Sequence, residues 1–151
     1  MQSLYFAYAS NMDERHLRAH CPTARYIDIG CLDGHRLAFT RRSVVSGTGV
    51  ADVVPAPDDA VWGVLYELDD VDLDVLDRKE GNGWAYARGQ KRIMLGADRS
   101  MHGATIYTVL AKEPNEVPPS HEYLERLLLA AQHHGLPGDY LTMLRAIPSV
   151  G

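Results

Sequence analysis

The sequence predicts an α+β domain with a mixed, strongly curled or barrel-like β-sheet flanked by short helices. Three observations predict it. Six or seven strand-like segments come mostly before two final helices. Only short helices interrupt them, and the regular βαβ alternation of a doubly wound sheet is missing. The chain has 151 residues, of which 46% are hydrophobic and 23% charged. That is enough for one domain (1–151) with a core that needs no staples.

Residues 4–8 are strand-like and rich in aromatic residues, which predicts a first strand. Asn11 followed by Glu14 predicts a capping pair opening a helix over 12–20, ended by Pro22. Residues 26–29 and 36–40 read as two strands separated by a turn at Asp33-Gly34. The polar stretch 41–49 reads as a loop, and 50–54 as a short strand closed by Pro55 and Pro57. Residues 61–68 form a strong apolar run and predict a central strand. Asp69 or Asp70 then caps a helix carrying Val71, Leu73, Val75 and Leu76. That helix ends near Glu80, with Gly81 as its stop. Strands follow at 86–95 and 103–111, joined by a loop over 96–103. Pro118-Pro119-Ser120 opens a helix with Leu124, Leu127, Leu128 and Ala131 on one face, ended by Gly135. A last helix spans 138–146.

Composition excludes several classes. The net charge is −5, and the basic pairs Arg41-Arg42 and Lys91-Arg92 are isolated, so no nucleic-acid footprint is expected. No apolar run is long enough for a membrane helix. The N-terminus lacks the pattern of a signal peptide. Cys21 and Cys31 are expected as reduced thiols. Together these predict a soluble cytoplasmic protein. Monomer and homodimer are both open.

Several residue types could carry chemistry. His16 and His20 stand four apart with Cys21 beside them, which is zinc-ligand spacing. An amphipathic helix places surface histidines there as readily, and the sequence offers no third or fourth ligand. His133 and His134 suit the negative end of a helix dipole. Ser10 lacks a nucleophile elbow and an identifiable base. Its loop could instead present backbone amides to an anion. Glu80 stands out because an acid is electrostatically disfavoured at a helix C-terminus. The dipole and burial would both raise its pKa, as a general base near neutrality requires. Tyr86 and Tyr123 read as core rings, with the Tyr123 hydroxyl able to reach a pocket edge.

Three motifs together resemble the γ-glutamylcyclotransferase superfamily, which includes AIG2-like and ChaC-like proteins. The first is Tyr8-Ala9-Ser10-Asn11-Met12, against a Y-G-S-N-[LM] loop in the family. The second is the strand Val61-Trp62-Gly63-Val64 with the helix end Leu76-Asp77-Arg78-Lys79-Glu80-Gly81. The third is the stretch from Pro118 to Tyr123 followed by Gly135-Leu136-Pro137. They cover nearly the whole chain, in the family's order, and the third points towards animal-type members.

The resemblance implies a γ-glutamylcyclotransferase-like fold and a small-molecule γ-glutamyl substrate, with no cofactor, metal, nucleic acid or membrane. It implies that Glu80 is the catalytic acid/base. It implies a substrate-binding loop made of Tyr5, Phe6, Ala7, Tyr8, Ala9, Ser10 and Asn11. Tyr123 corresponds to a substrate-contacting tyrosine. Tyr86 corresponds to another, in a segment one residue shorter than the family's. The implied reaction is attack of the substrate α-amine on its own γ-carbonyl, releasing 5-oxoproline and an amino acid or amine. The same fold could instead serve a γ-glutamyl amine, a γ-glutamyl-protected metabolite, or non-catalytic binding of a small carboxylate. The departure is Ala9, where the family has glycine. Either that position takes a positive φ, or the ligand approaches the backbone there and meets a methyl group.

Overall fold

A computed structural model describes residues 1–151. Five strands close into a barrel: β1 (Gln2–Ala7), β2 (Arg25–Arg42), β3 (Gly49–Asp69), β4 (Tyr86–Leu95) and β5 (Met101–Val109). Around the barrel the order is β1-β3-β2-β4-β5. Closure comes from a parallel contact between β1 and β5 at Tyr5 and Thr105, and the other pairings are antiparallel. The sheet is therefore mixed and closed, as the order of segments predicts.

The four helices are α1 (Glu14–Arg18), α2 (Asp70–Glu80), α3 (His121–His133) and α4 (Gly138–Arg145). None is long and apolar enough to cross a membrane. The core draws Phe6, Leu65, Tyr66 and Ile106 from strands, Leu76 from α2, Leu127 and Ala131 from α3, and Leu144 from α4.

Three elements differ from the sequence reading. The segments 26–29 and 36–40 belong to one strand, β2, and 50–54 and 61–68 belong to β3. Asp33-Gly34 is therefore a bend within a strand and not a hairpin turn. Gly34 supplies the positive φ, at 72°, which glycine adopts without a Cβ penalty. Across from it, pairing jumps from Pro55 opposite His35 to Ala60 opposite Asp33. Residues 56–59 bulge out, so Pro57 needs no ladder partner, and prolines are tolerated at such bulges. The predicted loop over 41–49 narrows to 43–48, the tip of the β2–β3 hairpin.

The third difference concerns the first helix. Asn11 does not cap it. Asp13 does, its carboxylate accepting from the Arg15 and His16 amides. Asn11 sits instead in a 3₁₀ turn (Ser10–Met12) and is buried. α2, by contrast, ends as predicted, with Gly81 left-handed at φ 65°.

Candidate functional site

A pocket opens where six elements meet. The end of β1 and its following turn contribute Tyr5, Tyr8, Ala9, Ser10 and Asn11. The C-terminus of α2 contributes Glu80, β3 contributes Ala51, the β4 and β5 strands contribute Tyr86 and Tyr107, and α3 contributes Tyr123. Its volume is about 60 Å³, where a single water needs about 10–15 Å³. The space suits a small polar ligand.

Glu80 is half-buried at the pocket wall. The Asn11 amide donates to Glu80 Oε1 at 3.2 Å and to the Tyr5 hydroxyl at 3.0 Å. Burial raises the Glu80 pKa, while Lys79 and the Asn11 hydrogen bond pull the other way. The position of Glu80 is fixed one turn back along α2. Asp77 Oδ1 accepts from the Tyr107 hydroxyl at 2.5 Å, and Asp77 Oδ2 pairs with Arg88 at 3.0 Å. Those bonds tie the end of α2 to β5 and β4.

The tyrosines are held through the backbone of Ala51. Tyr86 donates to the Ala51 carbonyl at 2.9 Å, and the Ala51 amide donates to the Tyr123 hydroxyl at 3.2 Å. Tyr8 donates to the Tyr107 carbonyl at 2.6 Å. Burial raises the pKa of all of these phenols, Tyr123 to about 12. They are neutral at physiological pH, and the Tyr123 hydroxyl, which accepts from Ala51, keeps its proton free to donate to an anion. Beneath Ala51, the wholly buried Asp52 accepts from Thr40, Val53, Val109 and Lys112. These bonds join β2, β3 and β5 just below the pocket floor.

A family model for the AIG2-like family matches residues 60–144, more than half of the chain. This chain belongs to the AIG2-like family. It is 28% identical to the Gamma-glutamylcyclotransferase of Homo sapiens over 149 residues, spanning 95% of this chain and 78% of that protein. The Mus musculus Gamma-glutamylcyclotransferase is equally similar, at 28% over the same shares. A solved Gamma-glutamyl cyclotransferase structure superposes with a TM-score of 0.91 at 25% identity, covering 99% of this chain and 89% of that one.

In this AIG2-like chain, Glu80, Tyr86, Tyr123 and the turn residues Tyr8 to Asn11 all line one pocket with Tyr5. Phe6 and Ala7 do not. Both are buried in the core, where Phe6 packs near Tyr8 at 6.5 Å between ring centroids. Strand alternation explains Phe6, which follows pocket-lining Tyr5 on the opposite face. Ala9 has φ −132°, so the family's glycine is not needed here for a left-handed backbone. That leaves close approach of a ligand, and the Ala9 methyl lies at the pocket.

Ala51 and Tyr107 line the pocket without having been singled out in the sequence. Nothing local marks them, because each is one residue of an ordinary strand. Ser10 lines the pocket too, without a base in hydrogen-bond contact. The His16 and His20 rings lie 6.2 Å apart, edge to face, on α1 and beyond it. Cys21 is buried, with its thiol donating to the Asp72 carbonyl at 3.5 Å. His134 bonds the Met12 carbonyl at 2.8 Å and stacks on Tyr26, which anchors the end of α3 to the turn carrying Asn11.

Proposed function

We propose that this AIG2-like chain is a γ-glutamylcyclotransferase with Glu80 as its general acid/base. The observation that carries the reading is the Glu80 carboxyl, half-buried at the wall of a small pocket and held there by Asn11 of the first turn. A binder of an anionic ligand would gain little from a carboxyl in that place. A base that works near neutrality gains a raised pKa.

The pocket folds the substrate so that its α-amine faces its own γ-carbonyl carbon. Attack is then intramolecular, and positioning supplies much of the acceleration. Glu80 takes the proton released by the attacking amine. A C–N bond forms to close the five-membered lactam. The C–N bond to the leaving amine breaks, and Glu80 returns the proton to that nitrogen. The products are 5-oxoproline and a free amino acid or amine, with no net redox change. The Ala9 amide donates to no protein acceptor, so it is available to a substrate carboxylate or to the oxyanion. Tyr123 presents a neutral hydroxyl with a free proton to the same pocket.

The test is 5-oxoproline release from γ-glutamyl dipeptides, γ-glutamyl amines and glutathione, by the wild type and by Glu80→Gln. Turnover by the wild type and a loss of about 10²–10⁴-fold in kcat for the variant are expected. No turnover across the set would remove the activity. Equal turnover by Glu80→Gln would remove Glu80 from the mechanism.

A further inference from the structure

We propose that Arg41 binds a carboxylate on the leaving group, and so selects γ-glutamyl amino acids over γ-glutamyl amines. The assignment rests on the cyclotransferase reading above and adds the residue that discriminates between its substrates.

Arg41 differs from every other cation of the chain. Of the 15 lysines and arginines, it alone is half-buried. A cation withdrawn from water normally has a carboxylate beside it. Arg25, Arg36, Arg88 and Lys112 have such partners although they are exposed. Arg41 has none, in a chain where 20 acids outnumber 15 bases. Its guanidinium lies instead over the Trp84 ring, 5.5 Å from the centroid. This contact takes none of the guanidinium N–H donors to a protein oxygen, which leaves them free for a carboxylate.

The location suits the leaving group. Arg41 pairs with Val50 at the start of β3, the strand that also carries pocket-lining Ala51. Trp84 is anchored at the turn that follows Glu80. Its amide donates to the Gly81 carbonyl at 3.0 Å, and its indole packs where a Gly81 side chain would otherwise stand. The stack therefore bridges the β2–β3 hairpin and the end of α2, flanking the Glu80, Ala51 and Tyr86 wall. Trp84 is itself 69% exposed, an apolar platform beside a polar pocket. The leaving nitrogen must lie within reach of Glu80, which hands it a proton. The atoms beyond that nitrogen then extend past Glu80 towards this stack. In a γ-glutamyl amino acid those atoms include a carboxylate; in a γ-glutamyl amine they do not. Burial raises the Tyr86 pKa, and the Arg41 charge acts weakly against it.

The experiment compares γ-glutamyl-alanine with γ-glutamyl-ethylamine, which lacks only the carboxylate, in wild type, Arg41→Gln and Arg41→Lys. The readout is the ratio of kcat/KM for the two substrates, which does not depend on the fraction of folded enzyme. Arg41→Gln should lower kcat/KM for γ-glutamyl-alanine by about 10- to 100-fold and leave γ-glutamyl-ethylamine within about twofold. Arg41→Lys should recover part of the preference, because it restores charge without the planar fork. A wild type that turns over both substrates, with a ratio unchanged by Arg41→Gln, overturns the assignment and leaves the activity standing. A wild type that turns over neither removes the activity, and the assignment with it.

Discussion

The Asn11 amide donates to Glu80 Oε1 at 3.2 Å and joins the first turn of the chain to the end of α2, 69 residues later. A hydrogen bond to a carboxylate favours its ionised form. Burial acts in the opposite direction and dominates. Asn11→Ala should therefore raise the Glu80 pKa further. The acid limb of kcat/KM against pH should move to higher pH, because a base must be ionised to accept a proton. A limb that stays in place or moves down would separate Asn11 from Glu80 in function.

Glu80 should also cost stability. Its folded pKa lies above its unfolded value, so the folded state binds the proton more tightly. Its contribution to stability is then lost as pH rises through the unfolded and on to the folded pKa. Glu80→Gln keeps the shape and can still accept from Asn11. It should raise Tm at pH 7, with the gain vanishing at pH values where Glu80 is protonated in both states. Thermal unfolding across pH 3–8 checks the sign.

Ala9 tests how the pocket is shaped. Its φ of −132° lies outside the left-handed region, so glycine is not required there for a positive φ. Ala9→Gly should cost about 0.5–1 kcal/mol of stability through chain entropy. Removing a methyl from the pocket wall should keep or raise turnover. A large fall in activity with an intact fold would show that the methyl contacts substrate.

Gly63 is where the second motif acts on the first. A Cβ there would stand 2.4 Å from the Ala7 carbonyl and 2.9 Å from the Phe6 ring. Ala7 is the last residue of β1 before the pocket turn, and it pairs with Val64. Gly63→Ala should push β1 off β3 and displace Tyr8 to Asn11. A loss of about 1–3 kcal/mol in urea unfolding is expected from overpacking, with a fall in activity of the folded fraction. Unchanged stability would mean that β1 can shift freely.

The Asp52–Lys112 pair lies below the pocket, with Asp52 wholly buried and the nitrogen–oxygen distance 2.7 Å. Lys112→Met removes the cation and leaves a buried carboxylate held only by neutral donors. It should destabilise by about 1–3 kcal/mol. In an Asp52→Asn background the same change should cost less, since no charge is then stranded. The double-mutant cycle in denaturant unfolding gives the coupling directly.

Much of this architecture was legible in the sequence. Continuous apolar runs locate β1 and the second half of β3, which are buried on both faces, and apolar periodicity locates α3, where one buried face imposes its spacing locally. Gly81 marks the end of α2 through a backbone conformation that its neighbours do not easily adopt. The motif order marks the family. Glu80 could be singled out because an acid at a helix C-terminus runs against the local dipole, a conflict visible without a structure.

Other features depended on partners far along the chain. Whether Asp33-Gly34 turns the chain back or bends it is decided by the bulge opposite, at 56–59. Asn11 obeys a capping pattern, yet Asp13 takes the cap and Asn11 turns to Glu80. Tyr107 enters the pocket because the barrel closes β5 against β1, and Ala51 because Tyr86 and Tyr123 fold onto its backbone. The unpaired state of Arg41 is likewise a matter of which acids fold near it. The sequence by itself determined where most strands and helices lie, since those follow from local backbone and burial preferences. Only the tertiary structure decided which side chains converge, since hydrogen bonds and desolvation act over a few ångströms between residues that the chain keeps far apart.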